Sequence, residues 1–142
     1  MKSGKSIRVM VVDDALYIRE LISLILRNEG YEVIKAANGK EALNALNGTN
    51  IDMLITDLNM PEVNGIELVE SLRNMPDFKS TPVLMITSEN QESIRKRARQ
   101  AGVNEWMLKP FIPKQLVDAV KKYVASIKPE VQLLEQQLQL VS

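Results

Sequence analysis

Residues 7–30 read IRVMVVDDALYIRELISLILRNEG, and the hydrophobic period changes inside this stretch. Ile7 to Val12 is almost wholly apolar and β-rich, as a strand buried on both faces should be. From Asp14 the apolar residues fall instead at helical spacing, with Ile18, Leu21, Ile22, Ile25 and Leu26 on one stripe and Gly30 as the stop. A buried strand, two acidic residues and an amphipathic helix form the first unit of an α/β fold.

The same alternation continues to residue 127. Glu32–Ala36 reads as a shorter, more polar strand, suited to a sheet edge, followed by a helix over Gly39–Leu46 that closes near Gly48. Ile51–Thr56 is a third strand, and a loop from Asn59 to Gly65 leads to a helix carrying Ile66, Leu68, Val69 and Leu72. Pro82–Thr87 is a fourth strand before a helix over Glu92–Ala101, whose apolar stripe is thin. Trp106-Met107-Leu108 ends a fifth strand, and Gln115–Ile127 is the last helix. Five β-then-α units call for a parallel sheet with helices on both faces. The first strand is the most apolar, which suits the middle of the sheet. Residues 1–128 form one domain by this reading. Residues 129–142, after the break at Pro129, form a Gln- and Leu-rich tail. Its Val131, Leu134, Leu138 and Val141 give one short seam, open to four readings: a frayed end, a docking helix, a homodimer contact or a linker.

Composition narrows the function. The 142 residues contain no cysteine and no histidine, which excludes His-ligated zinc and Ser-His triads. Lys+Arg and Asp+Glu both number 18, so nothing global draws the chain to nucleic acid or anionic lipid. The run Arg95-Lys96-Arg97 with Arg99 reads as a solvated helix face. The polar start has no apolar signal region, and no apolar run approaches the ~20 residues of a membrane span. The expected location is the cytoplasm.

In open parallel sheets, ligands bind at the carboxyl ends of the strands. There this sequence places Asp13-Asp14, Asp57, Thr87-Ser88 and Lys109-Pro110, from four different strands. Each alone has an ordinary reading: a cap, a turn residue or a solvated charge. Together, clustered carboxylates repel unless a positive group sits among them. A hard, oxygen-seeking dication meets that need, and Mg²⁺ fits better than a closed calcium cage. A carboxylate is also a nucleophile toward phosphorus. Metal, lysine and hydroxyl would then hold the oxygens of a transferring phosphoryl group.

These residues resemble the response-regulator receiver family in its CheY-like layout. The resemblance runs from Ile7 to Ile127. It is carried by Val-Asp-Asp at 12–14, Thr-Asp-Leu-Asn-Met-Pro at 56–61 with Asn64-Gly65, Met-Ile-Thr-Ser at 85–88 and Leu-Lys-Pro-Phe at 108–111. It implies a flavodoxin-like, doubly wound sheet of strand order 2-1-3-4-5. It implies Asp57 as phosphoacceptor, with Thr87 and Lys109 on the phosphoryl oxygens. Asp13, Asp14, Asp57 and the Asn59 main-chain carbonyl become the Mg²⁺ ligands, and the Lys109-Pro110 peptide becomes cis. Asn59 and Glu89 would tune the lifetime of the phosphorylated form, to seconds or minutes. Thr87 and Trp106 would be the switch pair, although the family usually has Tyr or Phe where Trp106 stands.

Partners follow from the same resemblance. A sensor histidine kinase or its phosphotransfer domain would donate the phosphoryl group. A downstream target protein would bind the face made by the fourth helix, fifth strand and fifth helix. The chain would be a two-component switch, in chemotaxis or another pathway, and not an enzyme beyond its own phosphotransfer and dephosphorylation. A dehalogenase-type phosphatase is disfavoured, because Asn59 stands where its second Asp is needed. A flavin binder is disfavoured because Asp13-Asp14 would repel its phosphate. A phosphorylation-independent module would be expected to lack one of the five key residues, and all are present. An N-terminal receiver in a longer regulator with an output domain stays open.

Overall fold

The computed structural model describes residues 6–127 and the single position 137. The tail seam at Val131, Leu134, Leu138 and Val141 lies outside the described residues. The elements run β1 (Arg8–Val12), α1 (Leu16–Asn28), β2 (Glu32–Ala36), α2 (Gly39–Leu46), β3 (Met53–Thr56), α3 (Gly65–Arg73), a 3₁₀ turn (Pro76–Phe78), β4 (Val83–Thr87), α4 (Glu92–Ala101), β5 (Glu105–Leu108) and α5 (Pro113–Ile127). All strand pairs are parallel, in the order β2-β1-β3-β4-β5. This is the expected doubly wound architecture.

The two-residue period of the strands divides the core. Met10, Val12, Leu54, Val83 and Met85 face one way, onto Ala42, Leu46, Leu68, Leu72 and Ala98 of α2, α3 and α4. Val9, Val11, Met53, Ile55, Leu84 and Ile86 face the other way, onto Ile22 and Leu26 of α1 and Leu116, Val120 and Val124 of α5. Each fully buried Leu, Ile or Val contributes roughly 1.5–3 kcal/mol, so the sheet is clamped from both sides.

The strand order is the expected one, with β1 inside the sheet, as its apolar composition suggests, and β3 at the centre. Every residue of β3 is buried, whereas Arg8 of β1 is only half-buried. Several boundaries differ from the sequence reading. Helix α1 starts at Leu16, because Asp13 turns its carboxylate back onto the Ala15 N–H at 2.9 Å. β3 starts at Met53, because the Asp52 carboxylate is spent on the Arg8 N–H at 2.9 Å. α5 starts at Pro113, where proline suits the first helical position. As expected, β2 is an edge strand and α4 is thinly packed, with Ala98 its one buried residue. No helix among the described residues is long and apolar enough to cross a membrane.

Candidate functional site

Four adjacent strands, β1, β3, β4 and β5, end at one rim of the sheet, and their last or next residues are Asp13, Asp57, Thr87 and Lys109. Asp13, Asp57 and Thr87 are buried, while Asp14 and Asn59 are exposed. Carboxylate oxygens of Asp13, Asp14 and Asp57 lie within 4.8 Å of one another. Lys109 Nζ donates to Asp13 Oδ2 at 2.9 Å and to Asp57 Oδ2 at 3.3 Å. The second oxygen of each buried carboxylate accepts a main-chain N–H: Asp13 Oδ1 from Ala15 at 2.9 Å, Asp57 Oδ1 from Leu58 at 2.7 Å. Arg19 bonds the main-chain oxygen of Asp13 at 2.7 Å rather than its carboxylate.

The electrostatics follow from this packing. Three carboxylates and one ammonium leave the cluster with two negative charges. Burial pushes the Asp57 carboxyl above its ordinary range, and the Asp13 charge adds to this against the pull of Lys109 and the Leu58 N–H. Burial alone would lower the Lys109 ammonium, yet Asp13 and Asp57 together hold it above its ordinary value. The donors are all hard oxygens with charge to spare, and this set fits Mg²⁺. Asp14 and Asn59 also line a cleft of about 450 Å³ with Met60, Pro61 and Asn64, which leaves the acidic cluster open to solvent on that side.

The loops around the cluster are tied to one another. The Lys109 N–H donates to the Thr87 carbonyl at 2.9 Å, and the Lys109-Pro110 peptide is cis. The Thr87 hydroxyl accepts from the Glu89 N–H at 3.2 Å. The Glu89 carboxylate in turn accepts from the N–H groups of Asn90 and Gln91, at the entry to α4. Asn64 and Glu67 form a reciprocal cap at the start of α3. The next residue, Gly65, donates to the Leu58 carbonyl at 2.8 Å. A Cβ on Gly65 would overlap the Asp57 carbonyl oxygen. Sequence reasoning lists Gly65 within a motif but gives it no role. Its signal is a glycine at a helix start, where no positive φ is required.

Trp106 sits apart from the acids, level with Met85 on β4. By two-residue alternation, Met85 and Thr87 share a sheet face, so Trp106 looks onto the α4 side of the core below Thr87. It is half-buried there, and the Arg95 guanidinium lies 5.7 Å from its ring centroid. The basic run on α4 is therefore not one solvated face. Lys96, Arg97 and Arg99 are exposed, but Arg95 is packed.

Comparison with known proteins agrees with this geometry. The family model of the response regulator receiver domain matches residues 9–121. The chemotaxis protein CheY1 of Helicobacter pylori is 40% identical over 116 residues, covering 80% of this chain and 94% of that protein. The transcriptional regulatory protein ResD of Bacillus subtilis is 35% identical over 121 residues; the match covers 85% of this chain but 49% of ResD, so the chain spans about half of that relative. The crystal structure of the chemotaxis protein CheY4 of Vibrio cholerae superposes with a TM-score of 0.80 at 36% identity, covering 83% of this chain and 98% of that one. An order 2-1-3-4-5 sheet, acids gathered at its carboxyl rim and a family match across the whole rim lead to one statement: the chain belongs to the response regulator receiver domain family, the phosphoacceptor signalling domains of two-component systems.

Proposed function

We propose that Asp57 is the phosphoacceptor, and that the protein is a two-component switch charged by a sensor histidine kinase, its phosphotransfer domain or a small phosphodonor. One observation carries this reading: the Lys109 ammonium bridges Asp13 and Asp57 inside a cluster of three carboxylates. An Asp57 oxygen attacks phosphorus, the bond from phosphorus to the donor nitrogen or oxygen breaks, and an aspartyl phosphate forms as the donor leaves. Asp13, Asp14, Asp57 and the Asn59 main-chain carbonyl would hold Mg²⁺. When bound, the metal neutralises the charge that gathers on the phosphoryl oxygens. Lys109 keeps its proton, because its two acidic neighbours favour the charged form. It exchanges a carboxylate oxygen for a phosphoryl oxygen. The Thr87 hydroxyl, now an acceptor from Glu89, turns to donate to the phosphoryl group.

Thr87 and Trp106 then form the switch, read out by a target protein on the α4-β5-α5 face. That face holds a groove of about 620 Å³ between Arg95 and Trp106 on one side and Gln115, Asp118 and Lys122 on the other. Asn59 and Glu89 flank the path of attacking water and set a lifetime of seconds to minutes. Residues 1–128 are the receiver and 129–142 an appended segment. The protein acts in the cytoplasm, and the likeness to CheY1 and CheY4 favours a chemotaxis-type pathway. Phosphodonor labelling of the parent and of Asp57→Asn tests the reading.

A further inference from the structure

We propose that Arg95 is a positioning residue that latches Trp106 beside α4 and so opposes the switch. The proposal rests on the reading of Trp106 as a switch residue. The geometry is specific to this pair. The Arg95 guanidinium lies 5.7 Å from the indole centroid, within cation–π range. Arg95 Nε and Trp106 Nε1 are both buried without a hydrogen-bond partner. A buried donor left unpaired is unfavourable, so the arrangement persists only while stacking and packing outweigh that cost. It is a contact set to be exchanged for another.

The surroundings make the contact consequential. Open grooves of about 620 and 240 Å³ both border Arg95, Glu105 and Trp106, so the guanidinium has room on its solvent side to leave the ring. The nearby carboxylates have ion-pair partners of their own, Glu105 with Lys122, Asp118 with Lys114 and Glu92 with Arg99, although Glu92 also feels the Arg95 charge. Helix α4 fully buries only Ala98, with Ile94 and Ala101 partly buried against the same core, so its packing is thin. The Arg95–Trp106 contact adds a direct tie between this thinly packed helix and the strand that ends at Lys109. Because Trp106 lies two residues below the level of Thr87 on the same sheet face, releasing the indole is the step that lets it follow the hydroxyl.

The sole tryptophan makes the test direct. Acrylamide quenching of metal-free protein reads the cover over the ring, and titration with beryllofluoride and Mg²⁺ reads the switch. In Arg95→Ala, quenching should rise and the beryllofluoride midpoint should fall by about fivefold, because the resting state loses its latch. Arg95→Lys should lie between Arg95→Ala and the parent. Arg97→Ala, which removes an exposed charge from the same helix, should change neither. An unchanged midpoint in Arg95→Ala overturns the latch, whatever the quenching does. An equal shift in Arg97→Ala assigns the effect to helix charge and also overturns it. If the parent neither takes phosphoryl label nor responds to beryllofluoride, the reading of the site fails and the latch's role in switching fails with it.

Discussion

The main chain of Gly65 sits against the carbonyl oxygen of Asp57, in a space that a side-chain carbon would have to share with it. The first turn of α3 can therefore press on the residue proposed to carry the phosphoryl group, and only glycine leaves room.

Gly65→Ala should then act on stability and chemistry together. Backbone atoms of Asp57 and Leu58 line two sides of the clash and the end of the Met85 side chain a third, so the strand end or the helix start must shift. Overpacking of this kind costs about 1–3 kcal/mol, readable by urea unfolding. A displaced Asp57 should also slow phosphodonor labelling by about tenfold or more. Parent-like stability and rate would show that the contact relaxes freely.

Asp57→Asn should stabilise the metal-free protein. Burial already disfavours the Asp57 charge, and Asp13 repels it. Removing that charge relieves both effects and leaves Lys109 paired with Asp13 at 2.9 Å. A gain of about 1 kcal/mol in chelator is expected. Added Mg²⁺ should stabilise the parent more than the variant. A variant less stable than the parent in chelator would contradict this balance of charges.

Arg73→Ala should loosen the far end of α4. Its guanidinium donates to the carbonyls of Phe78 at 2.9 Å and Gly102 at 2.6 Å, and to Asn104 Oδ1 at 3.2 Å. Losing these bonds should cost about 2 kcal/mol. Hydrogen exchange should quicken in the last turn of α4 before it quickens in the sheet. Equal protection in both variant and parent would remove Arg73 from the account.

A chain ending at Lys128 should keep the whole receiver. The described core already packs both faces of the sheet with residues up to Val124. Unfolding free energy within about 0.5 kcal/mol of the parent, and an equal labelling rate, are expected. A large loss of either would make residues 129–142 part of the domain.

Much of the fold is legible because it depends on period. The change from strand to helix spacing within residues 7–30 needs no tertiary knowledge, and five repeats of it call for a parallel sheet. The rim residues are legible for the same reason, since each follows a strand. Side-chain choices made across the fold are not visible. The Asp52 carboxylate takes the Arg8 N–H in place of a main-chain carbonyl, a partner far away in sequence. The turn at Pro76–Phe78 is too short to show a period. Composition alone places β1 inside the sheet, as it is, but does not say which interior strand is central. Arg95 reads as solvated because its partner, Trp106, lies on a different element.

Incorporation of phosphate from acetyl phosphate, with and without Mg²⁺, tests the central claim most directly. The parent should take up one phosphoryl group per chain in Mg²⁺ and essentially none in chelator, and the label should be lost in both acid and base, as an acyl phosphate is. Asp57→Asn should take up none. Label that persists in Asp57→Asn, or that forms equally well in chelator, would contradict the account.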